Sequence, residues 1–212
     1  MTYTTILFDW DGCLANTLPT WLQACAETFR ELGVENVSKQ DIVEQVFGWH
    51  GESLRFGIRS EPYWQSVRSK MSPSYADIEL HDGVLEVLRR LHRKGKQMVV
   101  ISSAVRTLLS TAIERQGVDR FIHFYLGAED VEMQKPHPQG VELALRRLCR
   151  NRKDAVMVGD SKHDLEMGNN AGIATVLHYP PANTDFYTLE SLIKYNPSYI
   201  IHAFEELECV VG

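Results

Sequence analysis

The chain has 212 residues and carries 28 Asp and Glu against 22 Lys and Arg, a formal net charge of −6. This acidic balance argues against a nucleic-acid partner, because phosphate backbones bind basic surfaces. No apolar run approaches the ~20 residues of a membrane span, and the first residues lack the pattern of an export signal. The four cysteines are far apart, so we expect no disulfide framework, no zinc site and a reduced, cytoplasmic setting.

Six short apolar segments predict β-strands. They are residues 4–8, 97–101, 123–126, 155–158, 173–177 and 199–201. Continuous apolar runs are typical of strands that are buried on both faces. Segments with apolar residues at helical spacing lie between several of them, for example 84–91 and 108–113. The alternation predicts a Rossmann-like α/β fold, an open parallel sheet with helices on both faces.

The stretch between the first two strands breaks this alternation, since residues 19–81 contain no convincing strand. That interval is too long for a simple crossover. Its apolar pattern is helical, beginning with Trp21, Leu22, Cys25 and Phe29. We therefore predict an α/β core of residues 1–17 and 82–212 and a small α-helical domain of residues 18–81.

Polar side chains follow four consecutive predicted strands. In chain order they are Asp9 and Asp11, Ser102 and Ser103, Lys135, and Asp160 and Asp164. Ligands bind at the carboxyl ends of the strands in an open α/β sheet. Converging carboxylates would repel one another and an anionic substrate, and a divalent cation with a lysine would neutralise them. Because oxygen ligands suit Mg²⁺, the set indicates a Mg²⁺-assisted site for a phosphoryl group.

Each of these signals has a plainer interpretation when it is taken alone. Asp and Gly often punctuate a strand end, and Ser102 is a suitable helix cap. The prolines beside Lys135 can simply shape a helix entry, and acids are common in a first helical turn. The common edge and the order of the four signals are what favour a functional site.

The same residues resemble the haloacid dehalogenase-like hydrolase superfamily. The first motif is Asp9-x-Asp11-Gly12-x-Leu14-x-x-Thr17, and Ser102, Lys135 and Gly159-Asp160-x-x-x-Asp164 follow in the family's order. Residues 18–81 lie where the phosphoglycolate phosphatase-like subgroup has an α-helical cap domain. The resemblance therefore implies an α/β core with this cap inserted after the first strand.

The resemblance also implies a role for each motif residue. Asp9 would be the nucleophile that forms an aspartyl-phosphate, and Asp11 would protonate the leaving alcohol and then activate water. The implied Mg²⁺ ligands are Asp9, Asp11 through its backbone carbonyl, and Asp160 directly or through water, with Asp164 either a further ligand or a support behind the ligands. The implied phosphoryl contacts are Ser102, Ser103, Lys135 and the backbone N–H groups of Trp10 and Gly12.

The activity that the resemblance implies is a Mg²⁺-dependent phosphatase for a small phosphorylated metabolite, phosphoglycolate-like or a sugar phosphate, in a monomer or a homodimer. Asp11 favours ester hydrolysis over dehalogenation, and a sugar-phosphate mutase of the β-phosphoglucomutase type stays an alternative. Such a mutase would need a second phosphate site in the cap, for which Arg55 and Arg59 are available. A non-catalytic phosphate-binding or regulatory protein is a third possibility. In the cap, His50 is a candidate substrate contact, although most cap side chains of this kind form its core or surface.

Overall fold

The computed structural model of the protein describes residues 2–47, 54 and 56–212, and at its centre is a six-stranded parallel sheet. The strands are β1 Thr5–Phe8, β2 Gln97–Ile101, β3 Phe124–Leu126, β4 Ala155–Gly159, β5 Ala174–His178 and β6 Tyr199–Ile201. Their order across the sheet is β3-β2-β1-β4-β5-β6. Every predicted strand is present, and each bound lies within one residue of its prediction.

Helices cover both faces of this sheet. The helices are α1 Leu18–Glu31, α2 Lys39–Gln45, α3 Ser60–Met71, α4 Val84–Arg93, α5 Arg106–Arg115, α6 Gln139–Leu148, α7 Lys162–Asn170, α8 Leu189–Ile193 and α9 Leu207–Val211. In β1, Ile6 and Phe8 join the core on one face with α4, α5 and α9, while Leu7 joins the core on the other face with α6 and α7. This alternation confirms the predicted fold class. Among the described residues, no helix has both the length and the apolar character needed to cross a membrane.

A helical insert connects β1 to α4. It holds α1, α2, α3 and a 3-10 turn, Tyr75–Asp77, and its described residues contain no strand longer than an isolated bridge. Helix α1 packs against both α2 and α3, and the rings of Phe29 and Tyr63 lie 4.7 Å apart between them. Among its described residues, the apolar core of the insert is therefore formed by packed helix faces and contains no strands.

The two ends of the insert run side by side where they meet the sheet. Ala15 on the outgoing segment forms an antiparallel bridge with Leu80 on the returning segment. The N–H of Asn16 donates to the carbonyl of Glu79 at 3.0 Å, and the N–H of His81 donates to the carbonyl of Leu14 at 2.9 Å. The outgoing and returning segments of the insert are thus held together next to the loop that follows β1.

Candidate active site

Strand register brings the predicted site residues to one edge of the sheet. Asp9 directly follows β1, and its N–H donates to the carbonyl of Val158 in β4 at 2.9 Å. Asp160 follows β4, and Ser102 follows β2. The side chains of Asp9, Ser102 and Asp160 are all buried, and all three come from the carboxyl ends of neighbouring strands. The sheet therefore holds these groups together below the surface.

The loop after Asp9 is a tight turn around Gly12. Gly12 has φ +85°, and a Cβ at this position would collide with the carboxylate of Asp160, so the turn requires glycine. The N–H of Gly12, which was expected to contact the phosphoryl group, donates instead to the carbonyl of Ala15 at 2.8 Å because the turn closes on itself. The side chain of Trp10 is buried in the core, which leaves only its backbone for a role in the site.

Lys135 lies between two carboxylates. Its Nζ donates to Oδ1 of Asp9 and, at 2.7 Å, to Oδ1 of Asp164. Burial opposes the charge of Lys135, but the carboxylates of Asp164 and Asp9 outweigh it and raise the pKa of Lys135 above its usual value. Lys135 is therefore a fixed cation in the site.

Asp164 is anchored on both of its oxygens. It lies in the first turn of α7, where Oδ2 accepts hydrogen bonds from the N–H of Ser161 at 3.1 Å and from its hydroxyl at 2.7 Å. The other oxygen accepts from Lys135. Asp164 thus forms a capping box with Ser161 at the start of α7 and also links this helix to Lys135.

A cluster of three buried carboxylates could hold a divalent cation. Oxygens of Asp9, Asp160 and Asp164 lie within 4.8 Å of one another. Burial raises the pKa of Asp9 to about 8, with Lys135 opposing and Asp164 and Asp11 adding to the rise. Burial, then the charges of Asp164 and Asp9, raise the pKa of Asp160 well above its usual value. A cation bound among them would relieve this repulsion.

One oxygen of this cluster has no partner within the described structure. Oδ2 of Asp160 accepts a hydrogen bond from the amide of Asn183 at 3.3 Å, whereas Oδ1 is buried and accepts none. A buried carboxylate oxygen without a donor is costly unless a ligand satisfies it. Carboxylate oxygens are what Mg²⁺ prefers, so the residues present fit that ion.

Asp11 has different surroundings from Asp9. Its Oδ1 accepts from the indole Nε1 of Trp21 at 2.7 Å, and the hydroxyl of Tyr75 lies 2.9 Å from both of its oxygens. Its Oδ2 is 3.3 Å from the hydroxyl of Ser102. Burial raises the pKa of Asp11, while the donors Trp21, Tyr75 and Ser102 oppose that rise.

A cavity of about 1080 Å³ lies between this site and the helical insert. The core contributes Asp9, Asp11, Ser103, Lys135 and Asp160 to its lining, and the insert contributes Trp21, Lys39, Phe47 and Trp64. Ser103 is exposed and lines this cavity. His50 and the loop around it lie outside the described residues.

Sequence patterns did not point to three residues that contact the site. Tyr75 reaches Asp11, and His81 and Asn183 both bind the carbonyl of Gly12, at 3.1 and 2.9 Å. None of the three belongs to a motif. No local sequence pattern marks His81, Tyr75 or Asn183 as a contact of the loop that follows β1.

The chain belongs to the haloacid dehalogenase-like hydrolase family, whose model matches residues 6–178. The matched range runs from β1 to the end of β5 and so contains every predicted site residue, including Asp9, Lys135 and Asp160.

Particular relatives share the whole length of the chain. A pyrophosphatase, PpaX, from Halalkalibacterium halodurans is 26% identical over 217 residues, which cover 100% of this chain and 98% of the relative. A haloacid dehalogenase-like family hydrolase from Streptococcus pneumoniae has a similar solved structure, with a TM-score of 0.82, 20% identity and 99% of each chain covered. The structure of CbbY from Rhodobacter sphaeroides, in complex with phosphate, has a TM-score of 0.76 and 20% identity, with 97% of this chain and 96% of that chain covered.

Proposed function

We propose that this protein is a Mg²⁺-dependent phosphatase that hydrolyses a small phosphorylated metabolite through an aspartyl-phosphate on Asp9. The observation that carries the proposal is Lys135, which bridges Asp9 and Asp164 beside the unpartnered oxygen of Asp160. Membership of the hydrolase family supports it. So do the name of the relative, a pyrophosphatase, and the phosphate bound to the similar structure of CbbY.

Mg²⁺ would be held by the carboxylates of Asp9 and Asp160 and by the backbone carbonyl of Asp11, with Asp164 as a ligand or as the anchor of Lys135. When bound, the ion supplies positive charge that lets an anionic phosphoryl group approach the carboxylates. Lys135 offsets the remaining negative charge of Asp9 and, with Ser102, Ser103 and the backbone N–H of Trp10, contacts the phosphoryl oxygens.

Asp9 carries out the first half of the proposed reaction. One of its carboxylate oxygens forms a bond to phosphorus while the ester P–O bond breaks, and Asp11 gives a proton to the leaving oxygen. In the second half, Asp11 takes a proton from water, the water oxygen bonds to phosphorus, and the Asp9 carboxylate is released together with inorganic phosphate.

Residues 18–81 serve as the cap domain in this proposal, over a core of residues 1–17 and 82–212. The cavity between them is walled on the insert side by aromatic and cationic side chains such as Trp64 and Lys39. Such a wall suits a small anionic substrate, a phosphoglycolate-like ester, a sugar phosphate or pyrophosphate, and closure of the cap over it would exclude bulk water. All four cysteines are unpaired, which is typical of the reducing, cytoplasmic setting proposed here. The proposed state is a monomer or homodimer.

The positions of the insert's arginines favour hydrolysis over phosphomutase activity, because a mutase would need an arginine at a second phosphate site in the cavity. Arg68 is the only arginine among the described residues that line the cavity, and it pairs with Glu61 at 2.6 Å. Arg59 is exposed and is not part of the lining, and Arg55 lies outside the described residues. A non-catalytic protein would not need Asp9, Asp11, Lys135 and Asp160 together.

The test is release of inorganic phosphate from a panel of small phosphate esters and pyrophosphate, with Mg²⁺ and with EDTA. We expect turnover that requires Mg²⁺ and that Asp9→Asn abolishes. Asp119→Asn, the same change at an exposed position, is the matched control and should keep full activity. No release from any substrate by folded wild-type protein would overturn the proposal, and the mutase would then be tested by sugar-phosphate isomerisation.

A further inference from the structure

Two side chains of the insert bind the carboxylate of Asp11, although the four motifs include neither of them. Trp21 donates its indole N–H to Oδ1 at 2.7 Å. The hydroxyl of Tyr75 lies 2.9 Å from Oδ1 and 2.9 Å from Oδ2. Asp11 is therefore held by donors that the sheet does not supply.

The donors come from both ends of the insert. Trp21 is in the first turn of α1, just after the chain leaves the core, and Tyr75 begins the 3-10 turn before it returns. Their rings pack edge to face with centroids 6.1 Å apart, and Tyr75 is fully buried. A packed aromatic pair loses little further freedom when it donates, so it can fix the rotation of the carboxylate.

The chemistry of an indole distinguishes the two oxygens of Asp11. An indole N–H only donates, so the oxygen that it binds must accept and cannot itself be the proton donor of that contact. In a protonated carboxyl group the carbonyl oxygen is the better acceptor, so this contact favours Oδ1 as the carbonyl oxygen and the proton on Oδ2. Oδ2 lies 2.9 Å from the hydroxyl of Tyr75 and 3.3 Å from that of Ser102, one of the proposed phosphoryl contacts.

We propose that Trp21 and Tyr75 are positioning residues that together fix the rotation of the Asp11 carboxyl group, with the indole contact to Oδ1 leaving Oδ2 as the oxygen that transfers the proton to the leaving group. In this step, which rests on the proposed function, the proton on Oδ2 moves to the ester oxygen as that oxygen takes the electron pair of the breaking P–O bond. Without the two donors the carboxyl group rotates, and the proton is less often directed at the leaving oxygen.

The test uses leaving groups that differ in their need for a proton. Tyr75→Phe and Trp21→Phe are compared with wild type on p-nitrophenyl phosphate, whose phenolate leaves readily, and on an alkyl ester such as glycerol phosphate. Single-turnover rates of leaving-group release, with enzyme in excess, isolate the first half-reaction. We expect a loss of about tenfold or more on the alkyl ester and of no more than about threefold on the aryl ester.

Tyr63→Phe is the matched control. Tyr63 is a buried insert tyrosine whose hydroxyl donates to the carbonyl of Cys25 at 3.2 Å, away from Asp11. It should leave both rates and their ratio unchanged. Equal losses on both esters in the Tyr75 and Trp21 variants would show a merely structural role, and rates like those of the control would show no role. Either result overturns the inference while wild-type hydrolysis upholds the phosphatase.

Discussion

Asp9 and Asp11 are two residues apart, yet different regions of the molecule surround them. The groups around Asp9 come from the core, namely Lys135 in the loop before α6, Asp160 directly after β4 and Asp164 in α7. Two of the partners of Asp11, Trp21 and Tyr75, come from the helical insert. The surroundings of Asp9 are thus supplied by the core, whereas the surroundings of Asp11, the proposed proton donor, depend in part on the helical insert.

The largest difference between the regions should appear when a lysine of each is replaced. Lys135→Met leaves two buried carboxylates without their cation, so we expect a loss of about 3 kcal/mol in the free energy of unfolding. Lys70→Met breaks an exposed pair with Glu31 in the insert, and should cost less than about 1 kcal/mol. Urea unfolding in EDTA measures both. Equal losses of unfolding free energy in the two variants would contradict the view that a buried ion pair at Lys135 stabilises the core.

A second contrast concerns the buried histidines at the seam between the regions. His81 and His178 have ring centroids 5.3 Å apart, and His178 Nδ1 is 2.9 Å from the carbonyl of Cys13. Burial, with the neighbouring charge of His81, lowers the pKa of His178 to about 3. As the pH falls, the unfolded chain therefore binds a proton at this histidine before the folded chain does. The contribution of neutral His178 to the free energy of unfolding is present in full above about pH 6.5 and decreases as the pH drops towards 3.

Replacing His178 should flatten that decline. His178→Asn keeps an amide donor for the carbonyl of Cys13 but cannot titrate. Between pH 7.5 and pH 5, we expect the variant to lose about 2 kcal/mol less unfolding free energy than wild type. His137→Asn, at an exposed histidine, should leave the decline as it is. A variant that loses as much as wild type would show that His178 does not set the acid limb.

The smallest expected effect sharpens the metal side of the comparison. Asn183 donates to Oδ2 of Asp160 and leaves Oδ1 open. Asn183→Ala should weaken Mg²⁺ binding about tenfold, as loss of a partner behind a metal ligand commonly does. Calorimetric titration with Mg²⁺ measures this directly. Asn170→Ala is the control, because it removes an exposed amide that donates to the carbonyl of Pro136, and it should bind Mg²⁺ as wild type does. Wild-type Mg²⁺ affinity in the Asn183 variant as well would refute the role of Asn183.

The strand ends were predictable from the sequence because a parallel sheet leaves little freedom. Once apolar runs set the strands, their carboxyl ends share an edge, and Asp9, Ser102 and Asp160 must meet there. Asn183 and Tyr75 were not predictable, since they contact loop residues 171 and 64 positions away and carry no local pattern. Trp21 belongs to an apolar helical pattern that predicts a place in the insert's core, and only the folded geometry shows that its indole binds Asp11.

The bridge between Ala15 and Leu80 has a consequence for how such proteins diversify. Because the outgoing and returning segments are hydrogen-bonded to each other, the length of the chain between them has little effect on the sheet. A different insert could be grafted at this junction without disturbing strand order. Such a graft would nevertheless remove Trp21 and Tyr75. If these residues position Asp11 as proposed, the new insert would have to supply its own donors for Asp11.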